Sequence, residues 1–167
     1  MTVAKLFIVN FGGACVLVWA YMMGYLQRLV ATDASHIGLL IVAVFAAGVV
    51  STFLQARKVD KAAQKSHKYQ RERAKEAIEI DSAHLSDLRK LLFIFGVLGN
   101  AIGLMIAFSA IKSGASAQEV SAGGAQFLAG VGTCFSATVA ALSLACWTIV
   151  NIRILTTATD KLAPEYN

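Results

Sequence analysis

One stretch of the chain combines residue types that apolar helices seldom carry together. The run FGVLGNAIGLMIAF, residues 95–108, holds three glycines and one carboxamide and is otherwise apolar. In a helix the spacing i, i+3, i+4 and i+7 places these four residues on one face. A polar side chain at membrane depth is costly unless it has a partner or lines a wet cavity. The carboxamide therefore either bonds a neighbouring helix or lines a polar cavity. The four residues are Gly96, Gly99, Asn100 and Gly103.

A second stretch, residues 127–147, carries a matching row of small side chains. Gly130, Ala137 and Ala141 lie on this row, and Thr138 lies at its edge. Small residues let two helix backbones approach closely, and packing drives helix association in lipid. We therefore predict a helix–helix contact at both rows, and we expect the close packing at the glycines of the first stretch to set an oligomer. Thr138 can bond the carbonyl one turn back, but beside Asn100 it suggests a narrow polar lining.

Long apolar helices are needed to position these residues. The chain is 57% apolar, its mean hydropathy is +0.63, and four runs contain no charged residue or histidine. Each run is long enough to cross the hydrocarbon core as a helix. The first is too long for a signal-peptide core and has no cleavage site after it, so we interpret it as an anchor. We predict an all-α polytopic protein with a single membrane domain, residues 1–167, and four transmembrane helices at residues 6–26, 37–54, 91–111 and 125–150.

The positive charges predict the orientation of the chain. Ten of its 15 Lys and Arg residues lie between residues 57 and 90. Short cytoplasmic loops keep such residues, so both termini and residues 55–90 are predicted to be cytoplasmic. Only Arg28 and Lys112 then face the other side. The net charge of +5 thus reflects topology and contact with anionic lipid head groups rather than binding of nucleic acid.

The segment of residues 55–90, which we name the polar hairpin, contains no Pro or Gly and favours helix. We predict that the second membrane helix continues to Ile80. A break follows at Asp81 and Ser82, whose side chains can cap the helix that leads into the third span. The result is a short cytoplasmic helical hairpin. It is either a docking surface for a cytoplasmic partner or a solvated extension of two membrane helices.

The remaining polar residues indicate no catalytic chemistry. Ser116 and Glu119 have capping-box spacing, which predicts a helix from Ala117 into the fourth span. The three cysteines fall in predicted membrane helices, where they pack, and the three histidines lie outside them with no ligand spacing. We therefore predict no enzyme activity, no catalytic residue, no metal site and no cofactor.

The two stretches resemble the third and fourth helices of the MotA/TolQ/ExbB proton-channel family. The first family pattern is G-x-x-G-T-x-x-G-M-I-x-x-F, and the second is a glycine near the start of the last helix followed by A-T-x-x-G. Four spans with a basic segment between the second and third also fit the MotA-like layout. Three positions differ: Asn100 replaces a threonine, Thr133 replaces a glutamate of the TolQ and ExbB branch, and Trp147 replaces that branch's proline. The matching residues are Gly96, Gly99, Gly103, Met105, Ile106 and Phe108 in the first pattern, and Gly130, Ala137 and Thr138 in the second.

This resemblance implies a homopentamer in the bacterial inner membrane around two copies of a partner with a single membrane helix. An aspartate on that helix carries the ion, and ion flow turns the pentamer around the partner. Asn100, Thr138 and Thr133 would then line the ion pathway. Ala137 before Thr138 is similar to proton-type members, whereas sodium-type members have a Thr-Thr pair. The alternative is a non-conducting four-helix scaffold or regulator, in which Asn100 and Thr138 only bond neighbouring helices.

Overall fold

The computed structural model describes residues 1–33, 35–109 and 117–163, with side chains of the last range described from residue 123. Four helices in these ranges are long and apolar enough to cross a membrane, and the described residues form no strand, so the predicted all-α polytopic fold class is confirmed. The predicted cap at Ser116 and the side chain of Glu119 lie outside the described residues. The helices are α1 (Thr2–Met22), α2 (Tyr25–Thr32), α3 (Ile37–Ala63), α4 (Lys68–Ser109) and α5 (Ala117–Asp160).

The first predicted span is interrupted near its end. α1 stops at Met22, and Gly24 adopts φ 78°, a left-handed conformation that glycine takes at little cost. The N–H of Gly24 donates to the carbonyl of Tyr21, which closes the end of α1. The chain then changes direction into the short α2, whose Tyr25 ring lies 6.1 Å from that of Trp19. Residues 25 and 26 of the predicted span therefore belong to a separate helix.

The polar hairpin forms, but the predicted break at Asp81 and Ser82 is wrong. α3 ends at Ala63, residues 64–67 make the turn, and α4 runs unbroken through both residues. The hydroxyl of Ser82 donates to the carbonyl of Glu79, so the helix itself satisfies it. Asp81 faces α3 instead, where its carboxylate pairs with Lys58 at 2.6 Å and its carbonyl accepts from the Gln55 amide at 3.2 Å.

Tertiary packing explains why the turn comes earlier. A turn at residues 64–67 lets α4 run back along the α3 extension and cover its buried side chains. A break at residue 81 would leave those apolar side chains uncovered, at a cost of about 25 cal/mol for each Å² left in water. The cluster that forms at this end of the molecule contains Leu6, Ala56, Val59, Ala62, Ile78, Leu85, Leu155 and Leu162.

A second core lies at membrane depth between α3, α4 and α5. It buries Ile37, Ile41 and Leu92 against alanines and Leu144 of α5. α1 stands at the side of this three-helix unit, and only Thr2 and Leu6 of α1 are buried. The packed unit that holds the glycine-rich face of α4 therefore consists of α3, α4 and α5.

Asp60 of α3 holds the beginning of α1. Its carboxylate accepts from the backbone N–H groups of Thr2 at 2.8 Å and Val3 at 3.1 Å, and from the amino group of Met1 at 2.5 Å. A carboxylate at a helix N-terminus satisfies N–H groups that the helix leaves unpaired and interacts favourably with its dipole. Partial burial raises the pKa of Asp60, but these hydrogen bonds outweigh it, so the pKa lies well below its ordinary value.

The change Asp60→Asn is expected to lower the free energy of unfolding by about 1 kcal/mol at pH 7. Because the folded state depresses the pKa of Asp60, its contribution is present above the ordinary value near 3.8 and is lost as the pH falls further. Thermal unfolding in detergent micelles at several pH values measures this difference. Asp81→Asn, which breaks an exposed ion pair on the same hairpin, is the control and should cost less. A gap between wild type and Asp60→Asn that does not shrink on acidification would contradict the assignment.

Candidate functional site

The glycines of α4 form its contact with α5 of the same chain. We name Gly96, Gly99 and Gly103 the glycine stripe. A Cβ added at Gly96 would lie 2.7 Å from the Cβ of Ala141, and one added at Gly99 would overlap Ala137. At Gly103 the same atom would lie 2.7 Å from the carbonyl oxygen of Gly130. The backbones of α4 and α5 are therefore close together along the glycine stripe, with no room for a Cβ between them.

This contact accounts for all six residues that the sequence assigned to helix packing. The stripe is buried by the chain's own α5, so it is not free to face a second copy. An oligomer would use other faces of the molecule. The six residues are Gly96, Gly99 and Gly103 on α4, and Gly130, Ala137 and Ala141 on α5.

Asn100 and Thr138 meet beside the stripe. The Thr138 hydroxyl lies 2.9 Å from Asn100 Oδ1 and 2.9 Å from the carbonyl oxygen of Cys134. The backbone carbonyl of Asn100 accepts from Cys134 Sγ at 3.3 Å. Both polar side chains are half-buried, and the structure thus brings together two residues that lie 38 positions apart in sequence.

The pair faces a groove on the surface of the bundle between α4 and α5. The groove has a volume of about 80 Å³, which is room for a few water molecules or one small side-chain group. Asn100 Oδ1 is engaged by Thr138, while its Nδ2 makes no hydrogen bond within the described chain. The rest of the lining is apolar. The lining residues are Phe93, Gly96, Val97, Asn100, Thr138, Ala141 and Leu142.

Thr133 lies elsewhere. It is fully buried, and its hydroxyl is within hydrogen-bond distance of the carbonyl oxygens of Ala129, at 3.0 Å, and Thr32, at 3.1 Å. It therefore ties α5 to the end of α2, and it is absent from the groove lining. Thr133, which stands where the TolQ and ExbB branch has a glutamate, therefore makes a packing contact in this chain.

A second polar pair, at the end of the bundle nearest the polar hairpin, was missed in the sequence. Asn10 of α1 and Asn151 of α5 exchange two side-chain hydrogen bonds, of 2.9 and 3.1 Å. Asn151 is only 1% exposed, and Asn10 also donates to the carbonyl of Leu6. Each is a lone carboxamide in or next to an apolar run, which is the signal that singled out Asn100. Next to this pair, the ring of Trp147 packs against Gly13, which brings α1 into contact with α5.

The groove lining within the described chain carries no charged side chain. None of the ten Asp and Glu residues falls within the four apolar runs. Asp33 is buried between α2 and α3, where it accepts from the N–H of Gly38 at 2.8 Å and serves that turn. The four apolar runs of this sequence therefore place no carboxylate at the depth of Asn100.

The chain matches no protein-family model, no curated protein and no solved structure. A functional assignment therefore rests on the geometry of its own residues.

Proposed function

We propose that the chain is the ion-conducting subunit of a rotary motor of the MotA/TolQ/ExbB type in a bacterial inner membrane. Five copies would surround two copies of a partner with one membrane helix, and an aspartate on that helix would carry the ion. The observation that carries the proposal is the Asn100–Thr138 pair, which supplies the polar side chains of the groove lining. It sits at membrane depth on an exposed face of the bundle, where a partner helix can reach it.

The proposed ion is the proton. A sodium ion needs a shell of several oxygen ligands, whereas a proton needs a carboxylate and a path of water. The described lining of the groove offers only two side-chain oxygens, and Asn100 Oδ1 already accepts from Thr138. Thr133, which could have added a third oxygen, is buried against α2. Each proton that crosses supplies about 2.3 kcal/mol per 100 mV, so several would act in succession to move a load.

The proposed orientation places both termini and the polar hairpin in the cytoplasm. This rests on the ten Lys and Arg residues between residues 57 and 90. Because the glycine stripe is filled within one chain, the pentamer would be formed by other exposed apolar faces, including those of α1, whose Phe7, Phe11 and Trp19 are more than half exposed.

Native mass spectrometry and a proton-flux assay test this proposal. The complex is purified from native membranes and its subunits are counted by native mass spectrometry. We expect five copies of the 17.7 kDa chain and two of a single-span protein. In vesicles, Thr138→Val should reduce proton flux at least tenfold while the assembly survives, because it removes the hydroxyl and keeps the shape. Flux that follows a sodium gradient alone would overturn the choice of ion.

The control variant is Thr148→Val on the same helix. Thr148 is buried and its hydroxyl donates to the carbonyl of Leu144, so the change removes an equivalent group away from the groove. Flux should remain close to that of wild type. Equal loss in the two variants would indicate that Thr138 acts through packing.

A non-conducting scaffold or regulator is the second candidate. The observation in its favour is that polar side chains in or next to the apolar runs hydrogen-bond to one another within the chain. Thr138 bonds Asn100, and Asn10 bonds Asn151, without a second chain. A purified complex that contains no single-span protein and conducts neither ion would favour this second candidate.

A further inference from the structure

The hydroxyl of Thr138 has one hydrogen and two acceptors. Asn100 Oδ1 and the carbonyl oxygen of Cys134 both lie 2.9 Å from it. A hydroxyl donates a single hydrogen bond, so it serves one of these oxygens at a time. The two ends of a carboxamide are nearly equal in size, and the choice of acceptor therefore decides which end of Asn100 faces the groove.

In the structure the oxygen of Asn100 is turned toward Thr138. Its amide nitrogen, with two N–H groups, is left without a partner in the described chain and borders an otherwise apolar groove. The site thus presents the amide N–H groups of Asn100 to the groove, while Asn100 Oδ1 is occupied by the hydrogen bond from Thr138. Such a site is complementary to an oxygen anion and unsuited to a cation.

We propose that Thr138 is a positioning residue that turns the amide N–H groups of Asn100 toward an ionised carboxylate on the transmembrane helix of a partner. This inference rests on the proposed function and adds the role of each side chain. A second copy of this chain cannot be the occupant, because its apolar runs contain no Asp or Glu. The volume of about 80 Å³ fits a carboxyl group that enters from an adjacent helix.

The orientation of the carboxamide has a measurable consequence. N–H groups that donate to a carboxylate favour its charged form and lower its pKa. A reversed carboxamide would present Oδ1, which accepts from a protonated acid and raises that pKa. The direction of the change therefore reports which end of Asn100 faces the partner.

The probe is a synthetic Leu/Ala membrane helix with one central aspartate labelled with ¹³C in its carboxyl group. It is mixed with the purified chain in vesicles of phosphatidylcholine and phosphatidylglycerol, and infrared spectra follow ionisation against pH. With wild-type chain, the midpoint should lie about one to two pH units below that with Asn100→Leu. Thr138→Val should show a smaller lowering, since its carboxamide is no longer held, and Thr138→Ser should restore the wild-type midpoint.

The outcomes separate this inference from the proposed function. Equal midpoints with wild type and Asn100→Leu, while the Asp helix still binds better than a matched helix with Leu, would overturn the inference and leave the proposed function standing. A higher midpoint with wild type would also overturn it, because the acceptor end would then face the groove. If the Asp helix binds no better than the Leu helix, both proposals fail.

Discussion

Gly130→Ala is expected to destabilise the chain by about 1–3 kcal/mol or more. An added Cβ at this position would lie 2.6 Å from the carbonyl oxygen of Gly103 and 2.7 Å from the Cα of Ala107. Both atoms belong to the backbone of α4, so no change of rotamer relieves the overlap and the two helices must separate. The loss should exceed the gain of about 1 kcal/mol that alanine brings to a helix. Thermal unfolding in detergent micelles measures it.

Gly12→Ala is the matched control. Gly12 also lies inside a helix, but nothing stands within 4 Å of the Cβ that would be added there. This variant should be as stable as wild type or slightly more stable. Equal melting temperatures for Gly130→Ala and Gly12→Ala would show that α4 and α5 are not packed as described.

Asn151→Leu has the second large expected effect, a loss of about 1–3 kcal/mol. Asn151 is buried and exchanges two hydrogen bonds with Asn10. Its replacement leaves the carboxamide of Asn10 with the carbonyl of Leu6 as its one remaining partner in the described chain. Asn10 Oδ1 then has no hydrogen-bond donor in the described chain, and a polar atom left unpaired in apolar surroundings costs more than the lost bond alone. The measurement is again unfolding in micelles.

The double variant Asn10→Leu with Asn151→Leu separates the interaction between the two carboxamides from the other contacts that each side chain makes. Because both polar groups are then removed together, we expect stability to recover most of the way toward wild type. The double-mutant cycle gives a coupling energy of about 0.6–2 kcal/mol. Additive losses in the two single variants would mean that the two carboxamides do not act as a pair.

Local composition determined most of the secondary structure. A backbone in lipid must satisfy its own hydrogen bonds, so an uncharged run of sufficient length becomes a helix whatever its neighbours are. Three of the four predicted runs accordingly lie within single helices of the structure, as far as the chain is described. The first is interrupted at Gly24, where glycine takes φ 78°. Outside the apolar runs, Asp81 and Ser82 have the side chains of a helix cap, but α4 continues through both because it packs over the buried side chains of the α3 extension.

For the candidate site, too, the sequence predicted part of the arrangement and the tertiary structure determined the rest. Helical periodicity alone placed Asn100 on the same face as the glycines, and the cost of a buried carboxamide made it a candidate for a functional site. The periodicity does not say which helix fills that face. α5 of the same chain fills it, because its row of small side chains permits so close an approach.

The same packing decided the partners of the polar side chains. It turned Thr138 toward Asn100, placed Thr133 against the end of α2, and paired Asn10 with Asn151 across 141 positions of sequence. A hydrogen bond needs its two groups within about 3 Å, and a sequence pattern fixes only the direction of each group around its own helix axis. The distance between two helices depends on every contact along both of them, so only the tertiary structure determines it.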